Sequence, residues 1–297
     1  MKKKIALIIS IILTFALLVS GCGQSPSQSQ GTEETNQSTL RVGLVPNQAP
    51  AKIKAQYEPF RQFLSNTLDM PVEIFVASDY AGVVEAMAND KLDVAYFGGL
   101  TYAQAKQRAK IHPIVTEIDE ETQTSKYYSL IIVPADSPVQ STAELKGKVF
   151  AFGDISSTSG SLYPRFMLDK AGIKVPDDLE NVVYSGGHDA TAQAVQNGTV
   201  DAGGIEGRIL NRLITNKTID ASKIRIIDKH LVEGYPWVVR DSLDKSLEEK
   251  IVNSFLEMKD PELLNLMRAK RFTQVTDANY TEIEKEANRL SLINPNK

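Results

Sequence analysis

The sequence predicts an α/β protein built as two lobes facing each other across a cleft. Three observations carry that prediction. Strand-like and helix-like segments alternate from Leu40 onward, the pattern of strands joined by covering helices. The alternation restarts near Tyr127, as if a second α/β unit were inserted into the first. The chain has 297 residues, the size at which one hydrophobic core stops growing and domains divide.

The first residues are not expected to join that fold. Lys2, Lys3 and Lys4 precede a run from Ile5 to Val19 whose only polar members are Ser10 and Thr14, and Ser20 and Gly21 follow. This is the layout of a signal peptide over residues 1–21, and its apolar run is shorter than the ~20 residues of a membrane span. The run Leu18-Val19-Ser20-Gly21-Cys22 resembles a bacterial lipobox, which implies cleavage before Cys22 and lipidation of its thiol. An ordinary signal peptide with an incidental cysteine is the competing reading. Against it, Cys22 is the sole cysteine of the chain and stands where the motif predicts one. Residues 22–39 then read as a lipidated Cys and a disordered tether, because Gly23 to Thr39 holds no hydrophobe to bury. The protein is expected to be exported and lipid-anchored to the cell membrane, facing outward.

Composition excludes several classes. Hydrophobic residues make up 42% and charged residues 24%, ordinary for a globular protein. Formal net charge is −4, and −7 without the three leader lysines, which gives no electrostatic case for nucleic acid. With one cysteine no internal disulfide forms. His112, His188 and His230 lie too far apart for a metal motif, so neither metal nor cofactor is expected.

The elements follow in order. Leu40–Val45 is a strand ended by Pro46, and a helix is predicted from about Ala51 to Thr67. Val72–Val76 is a strand, and Asp79 caps a helix through Met87. Leu92–Phe97 is a strand, and Thr101 opens a helix. Tyr127–Val133 is strongly β, and Ser141-Thr142-Ala143-Glu144 reads as a capping box. Val149–Phe152 is a strand, followed by a helix from about Ser161 to Ala171. Val182–Tyr184 is a strand and Ala190–Asn197 a helix. Val200–Gly203, Ile224–Ile227 and Trp237–Val239 are strands, and everything after Ser242 reads as helical. A mostly parallel sheet is expected in each lobe. The lobes are predicted as 40–127 plus 236–297, and 128–235.

Asp154-Ile155-Ser156-Ser157-Thr158-Ser159-Gly160 is the strongest chemical signal. It follows a strand and opens a helix, where free N–H groups and the positive dipole end favour an anion. One hydroxyl suffices for a cap, and here there are four. Ser185-Gly186-Gly187-His188-Asp189-Ala190 repeats the strand-to-helix turn. His188 there is either a satisfied structural residue or a donor to an oxyanion. Tyr80, Tyr96, Tyr127 and Tyr128 read by default as core residues, although Tyr80 and Tyr127 sit where this architecture places a cleft. No catalytic residue is expected: there is no Gly-x-Ser-x-Gly elbow and no phosphate loop of the Walker type, and an imagined Ser159–His188 dyad has no third member.

These segments together resemble the phosphate/phosphonate-binding components of ABC transporters. The matching pieces are Ser78-Asp79-Tyr80-Ala81-Gly82-Val83-Val84-Glu85, Asp93 to Gly98 and Tyr127 to Val133, then Ser157-Thr158-Ser159-Gly160, Gly187-His188 and Val200-Asp201-Ala202. The resemblance covers about Leu40 to Arg240. It implies a type II periplasmic-binding-protein fold, two α/β lobes on a hinge, in a monomer that serves a permease and an ATPase. It implies that Ser157, Thr158, Ser159 and His188 hold phosphorus-bound oxygens while Tyr80 and Tyr127 contact the ligand from the other lobe and the hinge. Tyr96, Arg208 and Tyr235 are further candidates. Relatives that take aminoalkylphosphonates place acidic residues where this chain has Arg208 and Tyr235, although Glu206 and Glu233 are close by. The expected ligand is therefore a compact phosphonate, phosphite or phosphate. A secreted hydrolase or a sensory surface lipoprotein using the same cleft is the alternative.

Overall fold

The computed structural model describes residues 38–293, so the signal segment, Cys22 and all but the last two tether residues lie outside the described residues. Two mixed sheets organise the chain. The first begins with β1 (Leu40–Leu44), β2 (Val72–Val76), β3 (Val94–Tyr96) and β4 (Ile111–Ile118). The second holds β5 (Lys126–Pro134), β6 (Val149–Phe152), β7 (Asn181–Tyr184), β8 (Ala202–Glu206) and β9 (Ile224–Glu233). The chain then returns, adding β10 (Trp237–Arg240) and β11 (Arg271–Gln274) to the first. The strand orders are β11-β4-β10-β3-β1-β2 and β7-β6-β8-β5-β9.

Helices cover these sheets. In the first unit they are α1 (Pro50–Gln56), α2 (Glu58–Leu68), α3 (Tyr80–Ala88) and α4 (Gly99–Lys106). The second adds α5 (Tyr163–Lys170), α6 (His188–Gln196) and α7 (Gly207–Thr215). The C-terminal stretch supplies α8 (Lys245–Leu256), α9 (Pro261–Leu266) and α10 (Thr281–Arg289). Among the described residues no helix is long and apolar enough to cross a membrane.

Each sheet has its own core. Phe60, Trp237 and Phe255 pack ring against ring under the first, with centroids 4.8–5.6 Å apart. The second sheet is covered on both faces, by Ala192, Val195 and Leu213 on one and by Met167, Leu168 and Ile173 on the other. Each such large apolar side chain contributes about 1.5–3 kcal/mol on burial.

Several expectations needed correction. The helix expected over 51–67 is two helices broken at Tyr57, because Pro59 in the first turn of α2 has no N–H to continue α1. The sheets are not mostly parallel: β2-β1-β3 and β7-β6-β8 run parallel, while β10, β4, β11, β5 and β9 pair antiparallel. Strand β4 is absent from the elements expected above, and it contains Pro113, a residue disfavoured inside a sheet. The proline is accommodated opposite Val238, beside a register shift at Trp237/Val238. The stretch after Ser242 is not wholly helical, for β11 pairs with β4 there. The Ser141 hydroxyl donates to Glu144 at 2.9 Å instead of capping the turn that follows.

The chain passes between the sheets twice. Residues 119–125 form a tight turn from β4 to β5, in which Asp119 accepts from the N–H groups of Glu121 and Thr122 at 3.0 and 2.7 Å. Residues 234–236 return from β9 to β10. The crossings are joined: the Gly234 N–H donates to the Ser125 carbonyl at 2.7 Å, and the Ser125 hydroxyl donates to Glu233.

Candidate ligand-binding site

Six strand-to-helix turns converge between the two sheets. From the first sheet come Asn47-Gln48 after β1, Asp79-Tyr80 after β2 and Gly98-Gly99 after β3. From the second come Asp154–Ser159 after β6, Gly187-His188 after β7 and Glu206-Gly207 after β8. Ligands of open α/β sheets bind at such carboxyl ends. Hydrogen bonds cross the gap at several points. The His188 N–H donates to the Asn47 carbonyl at 3.1 Å. The Tyr80 N–H donates to Asp154 Oδ2 at 3.2 Å, and the Thr101 hydroxyl donates to the Ser156 carbonyl at 2.9 Å.

The hydroxyl run divides its work. Ser157 caps the turn, accepting from the Gly160 N–H at 3.0 Å, and faces the buried Tyr80 hydroxyl. Thr158 Oγ1 accepts from the Leu100 N–H at 2.9 Å, so one of its lone pairs already joins the two sheets. Ser159 is fully buried, and its Oγ faces the buried Tyr127 hydroxyl without a geometric hydrogen bond to any protein group. Its carbonyl is pinned by the Ser129 hydroxyl at 2.9 Å, which fixes where Oγ lies. The segment Thr158–Leu162 is one π-helical turn leading into α5, a distortion common at functional sites. Gly160 allows the close packing: a Cβ there would lie 2.9 Å from Ser157 Oγ and 3.0 Å from His188 Cε1.

His188 begins α6 and is 1% exposed. Its Nδ1 accepts from the Glu206 N–H at 3.3 Å. A nitrogen that accepts carries no proton, so the neutral ring is protonated at Nε2. Burial, only partly offset by Glu206, lowers the ring to about 4, which keeps it neutral at pH 7. Its Nε2–H has no protein partner, and neither do Tyr127 Oη, Gln48 Nε2 and Asn47 Oδ1. Each unpaired buried polar group costs about 1–3 kcal/mol. Donors on Ser159, His188, Tyr127 and Gln48 suit a small species rich in acceptor oxygens.

A buried ion cluster flanks these groups. Tyr96 is enclosed between Tyr235 and Trp237, with centroids at 5.2 and 4.8 Å, and its hydroxyl donates to Glu117 at 2.9 Å. That engages Tyr96 away from the unpaired donors. Glu206 Oε2 accepts from the Tyr235 hydroxyl at 2.8 Å. Arg208 packs over the Tyr127 ring, 4.4 Å from its centroid, and meets Glu206 at 2.8 Å and Glu117 at 2.9 Å. Burial would raise the Glu206 carboxyl, but Arg268, Arg208 and the Tyr235 hydroxyl hold it at about 2. Glu233 lies apart, at the crossing beside Ser125 and Lys126. Sequence reasoning missed Asn47, Gln48, Glu117 and Arg268. The Asn47-Gln48 pair at a strand-to-helix turn was the one readable signal. Glu117 lay in the unexpected strand β4, and Arg268 in a stretch read as helix.

Comparison with known proteins agrees with this architecture. Residues 42–280 match the family described as "ABC transporter, phosphonate, periplasmic substrate-binding protein". The Phosphate-import protein PhnD of Mycolicibacterium smegmatis is 29% identical over 252 residues, 82% of this chain and 78% of that protein. The Phosphonates-binding periplasmic protein of Escherichia coli is 30% identical over 235 residues, 77% of this chain and 69% of that protein. The solved structure of PhnD1 from Prochlorococcus marinus in complex with methylphosphonate superposes with a TM-score of 0.78 at 24% identity, covering 86% of this chain and 99% of that one, which shows the same two-lobed type II fold. The chain thus belongs to the family of periplasmic substrate-binding proteins of ABC phosphonate transporters.

Proposed function

We propose that the cleft captures a compact phosphorus oxyanion (phosphate, phosphite or a small phosphonate) and delivers it to the permease and ATPase of an importer. The observation that carries the reading is the set of buried, unpartnered donors on Ser159, His188, Tyr127 and Gln48. Ser157 and Thr158 complete the cradle from the second sheet, and Tyr80 from the first. The named ligands of the relatives above, phosphate, phosphonates and methylphosphonate, support the class. We take 40–127 with 236–297 as one moving lobe and 128–235 as the other. The protein acts as a monomer, tethered to the outer face of the cell membrane through lipidated Cys22.

The geometry favours binding over hydrolysis. A Ser159–His188 dyad needs a ring nitrogen free to take the serine proton. Here Nδ1 is occupied by the Glu206 N–H, and Nε2 carries the proton. Calorimetric titration of the leader-free protein with phosphate, phosphite, methylphosphonate and sulfate tests the proposal. At least one phosphorus oxyanion should bind with 1:1 stoichiometry. No heat with any of the three phosphorus ligands overturns it.

A further inference from the structure

Glu206 ends β8 with no solvent exposure. Its N–H donates to His188 Nδ1 at 3.3 Å, and its carboxylate meets Arg208, which lies over the Tyr127 ring, so the carboxylate adjoins the cradle. A buried carboxylate there would attract any cationic group carried on phosphorus. In this chain the carboxylate is already engaged. Its Oε1 lies 2.8 Å from Arg208 Nε and 3.4 Å from Arg268 Nε.

Arg208 cannot neutralise the cluster alone. Its Nη1 is 2.9 Å from Glu117, and its Nε is also 3.9 Å from Asp119. One guanidinium therefore faces three buried carboxylates, each of them 5% exposed or less. Arg268 is the second cation. It approaches from the opposite lobe, out of the loop between α9 and β11, with backbone φ at +58°, a conformation uncommon for a residue with a side chain. Its side chain is 7% exposed. Of the neighbouring cations, Arg212 is turned toward the carbonyls of Asn265 and Leu266.

Resting on the function proposed above, we infer that Arg268 determines specificity: by pairing with Glu206 across the cleft, it withholds that carboxylate from cationic substituents and restricts the site to phosphorus oxyanions whose remaining group is uncharged. Removing Arg268 leaves Glu206 and Glu117 sharing Arg208. An ammonium carried by the ligand then supplies the missing positive charge.

The test compares affinities for 2-aminoethylphosphonate and methylphosphonate in wild type, Arg268→Gln, Arg268→Lys, Glu206→Gln and the Glu206→Gln/Arg268→Gln double variant. The aminoethyl-to-methyl affinity ratio should rise at least tenfold in Arg268→Gln. It should stay within about threefold of wild type in Arg268→Lys, which keeps the charge, and return toward wild type in the double variant. In Glu206→Gln it should fall at least threefold. An unchanged ratio in folded Arg268→Gln, with methylphosphonate binding intact, overturns this inference alone. If Arg268→Gln does not fold, an unchanged ratio in Glu206→Gln overturns it. Wild-type protein that binds neither phosphonate nor phosphate overturns the functional reading, and this inference with it.

Discussion

His188 offers a way to separate two roles within one ring. Nδ1 accepts the Glu206 N–H at 3.3 Å, and Nε2–H is the unpartnered donor. The substitution His188→Asn keeps an acceptor near the Nδ1 position and loses the donor. The substitution His188→Gln keeps a donor near the Nε2 position and loses the acceptor. A hydrogen bond to an anion is worth about 1.5–3 kcal/mol, so His188→Asn should weaken oxyanion affinity by roughly 10- to 150-fold with little change in Tm. His188→Gln orphans a buried N–H, a cost of about 1–3 kcal/mol. That should lower Tm by about 2–10 °C at this size while affinity stays within roughly fivefold. Calorimetry and thermal unfolding on the same preparations read both effects. If His188→Asn binds as tightly as wild type, the ring is purely structural and the donor assignment is wrong.

Four further outcomes are expected. Ser159→Ala should weaken binding by about 1–3 kcal/mol without loosening the closed form, whereas Thr158→Ala, which frees the Leu100 N–H, should also shift scattering of the bound protein toward a more open shape; equal scattering from both would refute the division of labour. Gly160→Ala should cost about 1–3 kcal/mol of stability and at least tenfold in affinity, because its methyl displaces Ser157 and His188; wild-type values in urea titration and calorimetry would show that the cradle tolerates it. Since the His188 ring titrates at about 4 when folded against an ordinary 6.5, the unfolded chain alone takes up that proton between those pH values, so stability should decline from pH 6.5 to 4 by up to about 3 kcal/mol, and parallel urea-midpoint profiles for wild type and His188→Asn would contradict this. Cys22→Ser should leave the protein unanchored or unprocessed, and finding it processed and still in the membrane fraction would place the anchor elsewhere.

Where a residue's role depends on a local pattern, the sequence displayed it. The Ser/Thr run after a β segment was readable as a candidate anion cradle because capping and donor chemistry act within a few residues. Asp79 was readable as a cap for the same reason, and its side chain does accept from Gly82 N–H at 2.8 Å. Where a role depends on what folds against a residue, nothing local could disclose it. Thr158 looks like its neighbours in sequence, yet its oxygen joins Leu100 across the cleft. Arg268 meets Glu206 only because β11 brings the C-terminal stretch back to the first sheet. Pro113 fits inside β4 only beside a bulge in a distant partner, which no local pattern displays.

The tie between the two chain crossings shapes how the cleft can move. A Cβ on Gly234 would fall 2.5 Å from Thr116 Oγ1 and 2.6 Å from the Ser125 carbonyl, so glycine is what lets the crossings lie side by side. Two separate cords would let one lobe swivel, shear and bend against the other. Fastened together they behave as a single strap, compliant in bending and stiff in torsion. Each closure then returns the rims to the same register, so the bonds of Tyr80, Leu100 and His188 form as a set. On the function proposed above, an ill-fitting solute that holds the rims apart would lose all of them at once, so the joint would add to the selectivity of the cradle.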